Sequence, residues 1–336
     1  WVLDSLKLQP GDQLEYFLEV WDNDGVNGSK STKTSAYTFA LPTEENLFAE
    51  IRDSQSKTQQ KIDQSVGKAN KLQQQIDQVN QKLKGKKSLD WQDKKMLEDI
   101  VAQEKTLSKL VEELRNQNKL LEQKKEAFTE QDERIREKAE QIQKLMDELL
   151  DEETKKLFEE LQKLLKENSD LSQIQKILDK LNQNTNNLEK ELERTLELFK
   201  QLQYEFKLDQ AINELKEQVE QQESLLEKTE ALEKNADTSE KNKGEKNEDG
   251  DKDAKKGDSD NENEESQELS AEQEKLSEEF EKTSEKIDEL KELGEQLQQE
   301  DDLPLDEDLN DIQDQQKESK EMLKQNNPSK AKSPQS

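Results

Sequence analysis

The chain has 336 residues, of which 28% are hydrophobic and 40% charged, and a formal net charge of -30. That is too little apolar surface for two or three compact globules, and a chain this acidic, whose only arginines are Arg52, Arg115, Arg134, Arg136 and Arg194, is excluded as a reader of nucleic acid or of an anionic membrane surface. Cys and His are both absent, which removes thiol nucleophiles, His-based triads and the usual zinc sites, and no run approaches the ~20 apolar residues of a membrane helix.

Residues 14–21, LEYFLEVW, alternate: Leu14, Tyr16, Leu18 and Val20 share one face, and Glu15, Phe17, Glu19 and Trp21 the other. The pattern predicts a half-buried strand, set between a QPGD turn and the loop DNDGVNGS. A second alternating run, Tyr37, Phe39 and Leu41, ends at Pro42, and a weaker one precedes the turn at Leu3, Leu6 and Leu8. The spacing Asp12, Leu14, Tyr16, Leu18 is similar to the tyrosine-corner strand of immunoglobulin-like sandwiches. Residues 1–42 are therefore expected to be the C-terminal strands of a β-sandwich whose first strands lie upstream, with a small self-standing β-meander as the alternative. Within the loop, Asp22 to Gly25 read as a turn in preference to a calcium site.

From Thr43 the code changes to helix. Thr43 is an N-cap with Asn46 at the third helical position, and Phe48, Gln55, Ile62, Ala69, Ile76 and Leu83 recur every seven residues, interleaved with Ile51, Thr58, Ser65, Leu72 and Val79. KGKKS at 84–88 breaks this helix. Asp90 can cap a second, in which Ile100, Leu107, Leu114, Leu121 and Phe128 again recur every seven. Two helices of similar length on a short link predict an antiparallel hairpin over 43–129, its seam diluted by Glu104, Asn118 and Lys125.

Residues 130–234 read as a helical bundle with one long helix. Ile135, Ile142, Leu145 and Leu149 form one piece, and Leu157, Phe158, Leu161, Leu164 and Leu165 a second. A long stripe then runs from Leu171 through Leu178, Leu188, Leu196, Phe199, Leu202 and Phe206, continuing with a kink through Ile212, Leu215, Val219 and Leu226. Phe199, Tyr204 and Phe206 are the candidate partner-binding ridge. Helix core is the competing reading for them, with Tyr204 the one expected to point outward.

Residues 235–268 are expected to be a disordered acidic linker: 235–265 carry twelve acidic against six basic residues, a net of -6, with no large apolar side chain. A helical hairpin over 269–326 follows, with Ser270 as its N-cap and Leu276, Phe280, Ile287, Leu290 and Leu297 on one face, and residues 327–336 are expected to be a disordered tail. No residues are assigned to catalysis, metal or cofactor. The carboxylates interleave with Lys at helical spacing and sit opposite the apolar stripes, as on a solvated face.

KELERTLELFKQLQYEFKLDQAINELKEQVEQQESLLEKTE (190–230), taken with the LQPGDQLEYFLEVWDNDG stretch and the segments FEKTSEKIDEL and DIQDQQKESKEMLKQNNPSKAKSPQ, resembles the large membrane-anchored coiled-coil proteins of Bacteroidetes-type bacteria, a family named as a domain of unknown function. The resemblance covers nearly the whole chain in the same order. It implies a cell-envelope location, on the periplasmic side of the inner membrane, with membrane attachment through parts of the parent outside this chain, and it carries over no catalytic residues.

The sequence thus predicts a mainly α protein of extended antiparallel helical hairpins, coiled coil and a small helix bundle, preceded by the last strands of a sandwich. The chain starts at Trp1 in mid-pattern and reads as part of a longer protein. The expected function is a non-enzymatic envelope scaffold or spacer that presents helical surfaces to other proteins, with self-association among the possible contacts and no cofactor. A chaperone-like or secretion-accessory role, and a regulatory region of an enzyme whose active domain lies elsewhere, are the alternatives.

Overall fold

Helix dominates the fold, as the composition requires. The structure, a computed structural model, describes residues 6, 8–23, 28–128, 132–149, 152–167, 170–243, 257–299 and 303–335. Four short strands, β1 (Gln13–Tyr16), β2 (Glu19–Trp21), β3 (Ser31–Lys33) and β4 (Tyr37–Ala40), precede the helices α1 (Glu44–Leu83), α2 (Trp91–Phe128), α3 (Glu133–Glu148), α4 (Glu152–Lys166), α5 (Leu171–Lys243), α6 (Gly257–Leu297), α7 (Asp306–Lys324) and α8 (Pro328–Gln335). The chain divides into two compact units, Trp1–Phe199 and Lys200–Ser336, so α5 contributes residues to both.

The strands form two antiparallel pairs, β1 with β4 and β2 with β3. The single strand expected over 14–21 is interrupted at Phe17 and Leu18, where the Thr34 hydroxyl accepts the Leu18 N–H at 3.0 Å. Leu14 lies opposite Phe39 and Tyr16 opposite Tyr37, whose rings stack 5.7 Å apart. The QPGD turn closes as Pro10–Gly11 chemistry predicts: Gly11 has φ +89, and Asp12 accepts the Gln9 N–H at 2.8 Å. Gly11 N–H then bonds Pro42 O at 2.9 Å, and the Thr43 side chain accepts from Asn46 N, so the sheet ends where the first helix is capped. Among the described residues no third strand joins either pair. Leu3 and the Asp24–Asn27 part of the loop lie outside the described residues.

α1 and α2 form the antiparallel hairpin. Glu50 meets Lys124, Lys61 meets Glu113, and Lys82 meets Asp93. The buried positions of α1 are 47, 51, 55, 58, 62, 65, 69, 72, 76, 79 and 83, every third or fourth residue, with Asn80 beside Val79 in addition. Leu47 rather than Phe48 fills the first buried position, and Phe48 is half-buried. Those of α2 are 93, 97, 100, 104, 107, 111, 114, 118, 121 and 125, with Val101 beside Ile100 in addition, so Glu104, Asn118 and Lys125 do enter the seam, as their spacing required. Buried hydroxyls are tolerated in α1 because each bonds the carbonyl one turn back: Thr58 to Ser54 O at 2.8 Å and Ser65 to Lys61 O at 2.7 Å.

α3 and α4 pack on α2. The α3 C-terminus has no basic residue in its last turn, and Arg115 of α2 supplies the charge, donating to Met146 O at 2.5 Å and Asp147 O at 2.6 Å. α5 meets α1 through polar side chains. Asn80 donates to Asp179 at 2.7 Å, Asn182 to Asp77 at 2.7 Å, Gln73 to Asn182, Thr185 to Gln73 and Asn70 to Glu189, while Gln175 caps Leu83 O at 2.8 Å. This pairing and the packing of α3 and α4 on α2 put the 130–199 part of the expected 130–234 block into one unit with the hairpin. The expected block boundary failed because it was drawn from apolar periodicity, and α1 and α5 meet through amides and carboxylates.

In the second unit α5 buries Tyr204, Ala211, Gln218, Leu225 and Leu232, a strict seven-residue repeat. This register leaves Ile212 and Val219 exposed and corrects their place in the expected stripe. Two apolar clusters result, one of Tyr204, Ala211, Phe280, Ile287, Leu290 and Leu309, the other of Leu225, Leu232, Leu269, Leu323 and Ala331. Polar side chains are buried alongside them: Gln222 and Gln273 exchange amide hydrogen bonds at 3.2 and 3.0 Å, Ser319 and Gln335 both donate to Gln273 at 3.2 Å, and Gln218 donates to Thr283 at 2.9 Å.

Three expectations for this end of the chain are corrected. α5 extends to Lys243 and α6 starts at Gly257, so helix covers both flanks of the predicted linker, and only its 244–256 core lies outside the described residues. Ser270 lies inside α6 and caps no N-terminus; with Ser266 it donates to the last-turn carbonyls of α7, Lys320 O at 3.2 Å and Leu323 O at 2.6 Å. The predicted disordered tail is α8, held by buried Ala331 and by Lys332 and Ser329 on Glu233. Helix there follows from Pro328, which stands at a first helical position after the turn at Asn326 and Asn327.

The fold predicts unequal costs for two leucines of α2. Leu107→Ala, at a side chain 1% exposed, should lose about 2–5 kcal/mol, and Leu120→Ala, at one 61% exposed, should stay within about 0.5 kcal/mol, both read by urea unfolding followed by circular dichroism.

Candidate interaction surfaces

The aromatic ridge expected at Phe199, Tyr204 and Phe206 is not a surface. All three side chains are buried, at 0%, 2% and 4% exposed, Tyr204 included. Tyr204 opens the repeat 204, 211, 218, 225, 232, so it is a core position of the second unit, where Gly294 of α6 packs on its ring. A Cβ at Gly294 would lie 3.4 Å from the Tyr204 ring.

Among the described residues the exposed aromatic side chains cluster instead on and between the strands. Tyr16, Phe17, Leu18, Val20, Trp21, Tyr37 and Phe39 are all more than a third exposed, with Trp21 at 60%. Lys33 covers part of Phe17, its Nζ 4.7 Å from the ring centre. On the helices the exposed large apolar residues, Trp91, Leu120, Ile212, Val219 and Ile312, stand singly.

The densest charge cluster sits at the α1–α2 turn. Gly85, with φ +83, lets the chain reverse, and Asp90 and Asp93 then cap each other across the first turn of α2: Asp93 N donates to Asp90 at 2.8 Å and Asp90 N to Asp93 at 3.1 Å. Lys86 Nζ bridges both carboxylates, at 2.9 Å to Asp90 and 2.5 Å to Asp93, while Lys82 Nζ reaches Asp93 at 3.3 Å. The hydrogen bond from Lys86, followed by that from the Asp93 N–H, pulls the Asp90 pKa down to about 2. Burial alone would push Asp93 up, but Lys86, the Asp90 N–H and Lys82 together hold it below the usual range. Lys86 is raised in turn, first by Asp93 and then by Asp90. The sequence announced Asp90 as a cap; the three-residue step to Asp93 and the flanking lysines were the unread signal for the rest.

Two further titratable groups are shifted by burial in the α2 seam. Burial raises the pKa of Glu104 against a hydrogen bond from the Ser108 hydroxyl at 2.5 Å, and it lowers that of Lys125 against Glu122 at 3.2 Å. Each sits where a leucine would serve the packing better. Their neighbours hold them in helix–helix seams. Among the described residues no group of three His, Cys, Asp or Glu is placed to hold a metal ion, and no helix is long and apolar enough to cross a membrane. The Asp249 part of the acidic linker lies outside the described residues. In comparison with known proteins, no family model, no curated protein and no solved structure matches the chain.

The turn cluster sets a pH prediction. Asp90 and Asp93 have depressed pKa values in the folded state, so their contribution is present above about pH 4 and lost as pH falls toward 2. The stability difference between the native chain and Asp93→Asn, measured by urea unfolding, should be largest at neutral pH and shrink across that acid window.

Proposed function

We propose that this chain is a non-enzymatic scaffold or spacer that holds protein partners on the polar faces of long, coiled-coil-like helical hairpins. The observation that carries this reading is the α1–α2 arm. Its helices of 40 and 38 residues span about 60 Å, their seam is closed by their own heptad-spaced side chains, and their outward faces are left to Lys, Glu and Gln. The shifted titratable groups of the described residues support it too, since ion pairs, caps or burial account for each.

In the same reading the exposed aromatic strands are part of a larger immunoglobulin-like β-module, because two-stranded ribbons with so much uncovered apolar surface are marginal alone. The resemblance to membrane-anchored coiled-coil proteins of Bacteroidetes-type bacteria supports an envelope location on the periplasmic side of the inner membrane. The client-holding alternative needs apolar side chains along the arms, and those described there are isolated. An enzyme-regulatory role finds no specific support in the described residues.

Photo-crosslinking in the cells that make the protein tests the scaffold. A photoreactive residue at exposed Glu112 or Leu120 should give discrete adducts of reproducible mass, and one at buried Leu107 should give none. A continuous smear of many masses contradicts a scaffold and favours client holding.

A further inference from the structure

Against a chain with 52 basic and 82 acidic residues, one stretch reverses the balance: residues 64–88 hold Lys68, Lys71, Lys82, Lys84, Lys86 and Lys87 with Asp77 as their only carboxylate. Lys82 and Lys86 are spent on the turn cluster. Lys68 and Lys71 are not. They line an outer trough between α1 and α2 with Gln74, Gln75, Gln78, Gln103 and Thr106, about 470 Å³ in volume. A second hollow of about 430 Å³ shares Lys68 and Thr106 and adds Gln64, Lys105, Lys109, Leu110 and Glu113, which makes the two one continuous trough.

Among the described residues Lys68, Lys71 and Lys109 have no carboxylate within ion-pair distance, and Lys105 bonds the Gln162 amide at 3.4 Å. The one carboxylate of the trough, Glu113, is taken by Lys61 at 2.9 Å. Unspent amides accompany the unspent charge: the Gln75 side-chain oxygen is enclosed and accepts no hydrogen bond. Positions 64, 68, 71, 75 and 78 follow one another at four- and three-residue steps, so the lining runs along α1 for about 21 Å. A trough this long and open suits a polymer rather than a small molecule.

We propose that this trough docks an acidic helix of a protein partner. Lysines three and four residues apart, as at 68 and 71 and at 105 and 109, match the carboxylate spacing along one face of a helix, and the long-range field of a chain at -30 disfavours an anion wherever such lysines do not cluster. Lysine without arginine fits carboxylates as point charges and offers no bidentate fork for phosphates. The proposal rests on the scaffold reading in that the partner is a protein, but the two fail separately: adducts from Glu112 and Leu120 can persist when the trough binds nothing.

The test uses the full chain and a fluorescein-labelled helical peptide of about 20 residues, with Glu at every fourth position and Ala between, followed by fluorescence anisotropy. Binding is expected at about 0.02 M salt, should weaken about tenfold or more in a variant carrying Lys68→Gln, Lys71→Gln and Lys109→Gln, and should be lost at about 0.5 M salt. The matching Lys→Arg variant, of unchanged circular dichroism, should retain it. Absence of binding, binding unchanged by the Gln substitutions, or tighter binding of a single-stranded oligonucleotide through the same lysines would overturn the proposal, the last in favour of a nucleic-acid partner.

Discussion

The scarcity of apolar side chains governs everything else in this protein. With 28% hydrophobic residues, a helix can present about two buried side chains per seven, and a stripe that narrow stabilises a fold only when another helix closes over it along its length. The three- and four-residue spacing that dominates burial along α1, α2 and α5 is the direct result. The seam admits Thr58, Ser65 and Thr195 because each hydroxyl returns to a carbonyl on its own helix, which spares the neighbour any demand for a partner, and Thr185 bonds both Leu181 O of its own helix and Gln73 of α1.

Narrow seams leave the flanks of each helix polar, and the fold uses those flanks as its second means of association. α1 meets α5 through Asn70, Gln73, Asp77 and Asn80 against Asp179, Asn182, Thr185 and Glu189. Helix ends are satisfied the same way, by side chains from neighbours: Arg115 on α3, Gln175 on α1, Ser266 and Ser270 on α7. Each such bond is modest, about 1 kcal/mol, yet each is directional and so helps set which helices pair.

The seven-residue repeats of α1 and α2, the turn between them and the cap at Asp90 were legible in the sequence, because they depend on local spacing alone. The α1–α5 ladder was not, since amides and carboxylates at those positions look like any solvated face until the partner is known. The same blindness explains the misplaced block boundary after residue 129. Tyr204 was expected to point outward, whereas the repeat that governs the second unit begins at Tyr204 itself. α8 was missed because its anchoring uses one alanine, one amide, one hydroxyl and one ion pair, too few apolar residues to register as a pattern. The strands were recognised as strands, but their break at Leu18 follows from the Thr34 hydroxyl, which no alternation of side chains reveals.

The polar pairing of α1 with α5 separates this fold from a simple string of hairpins, and the absence of native cysteine makes it directly accessible to chemistry. Asn80 and Asp179 bond each other at 2.7 Å, so cysteines at these two positions should be joined within one chain by a short bis-maleimide reagent under native conditions and not in denaturing urea. Rapid intramolecular crosslinking confined to the folded state is the expected result. Absence of the crosslink in the folded chain, or equal yield with and without urea, would contradict the bundle described here.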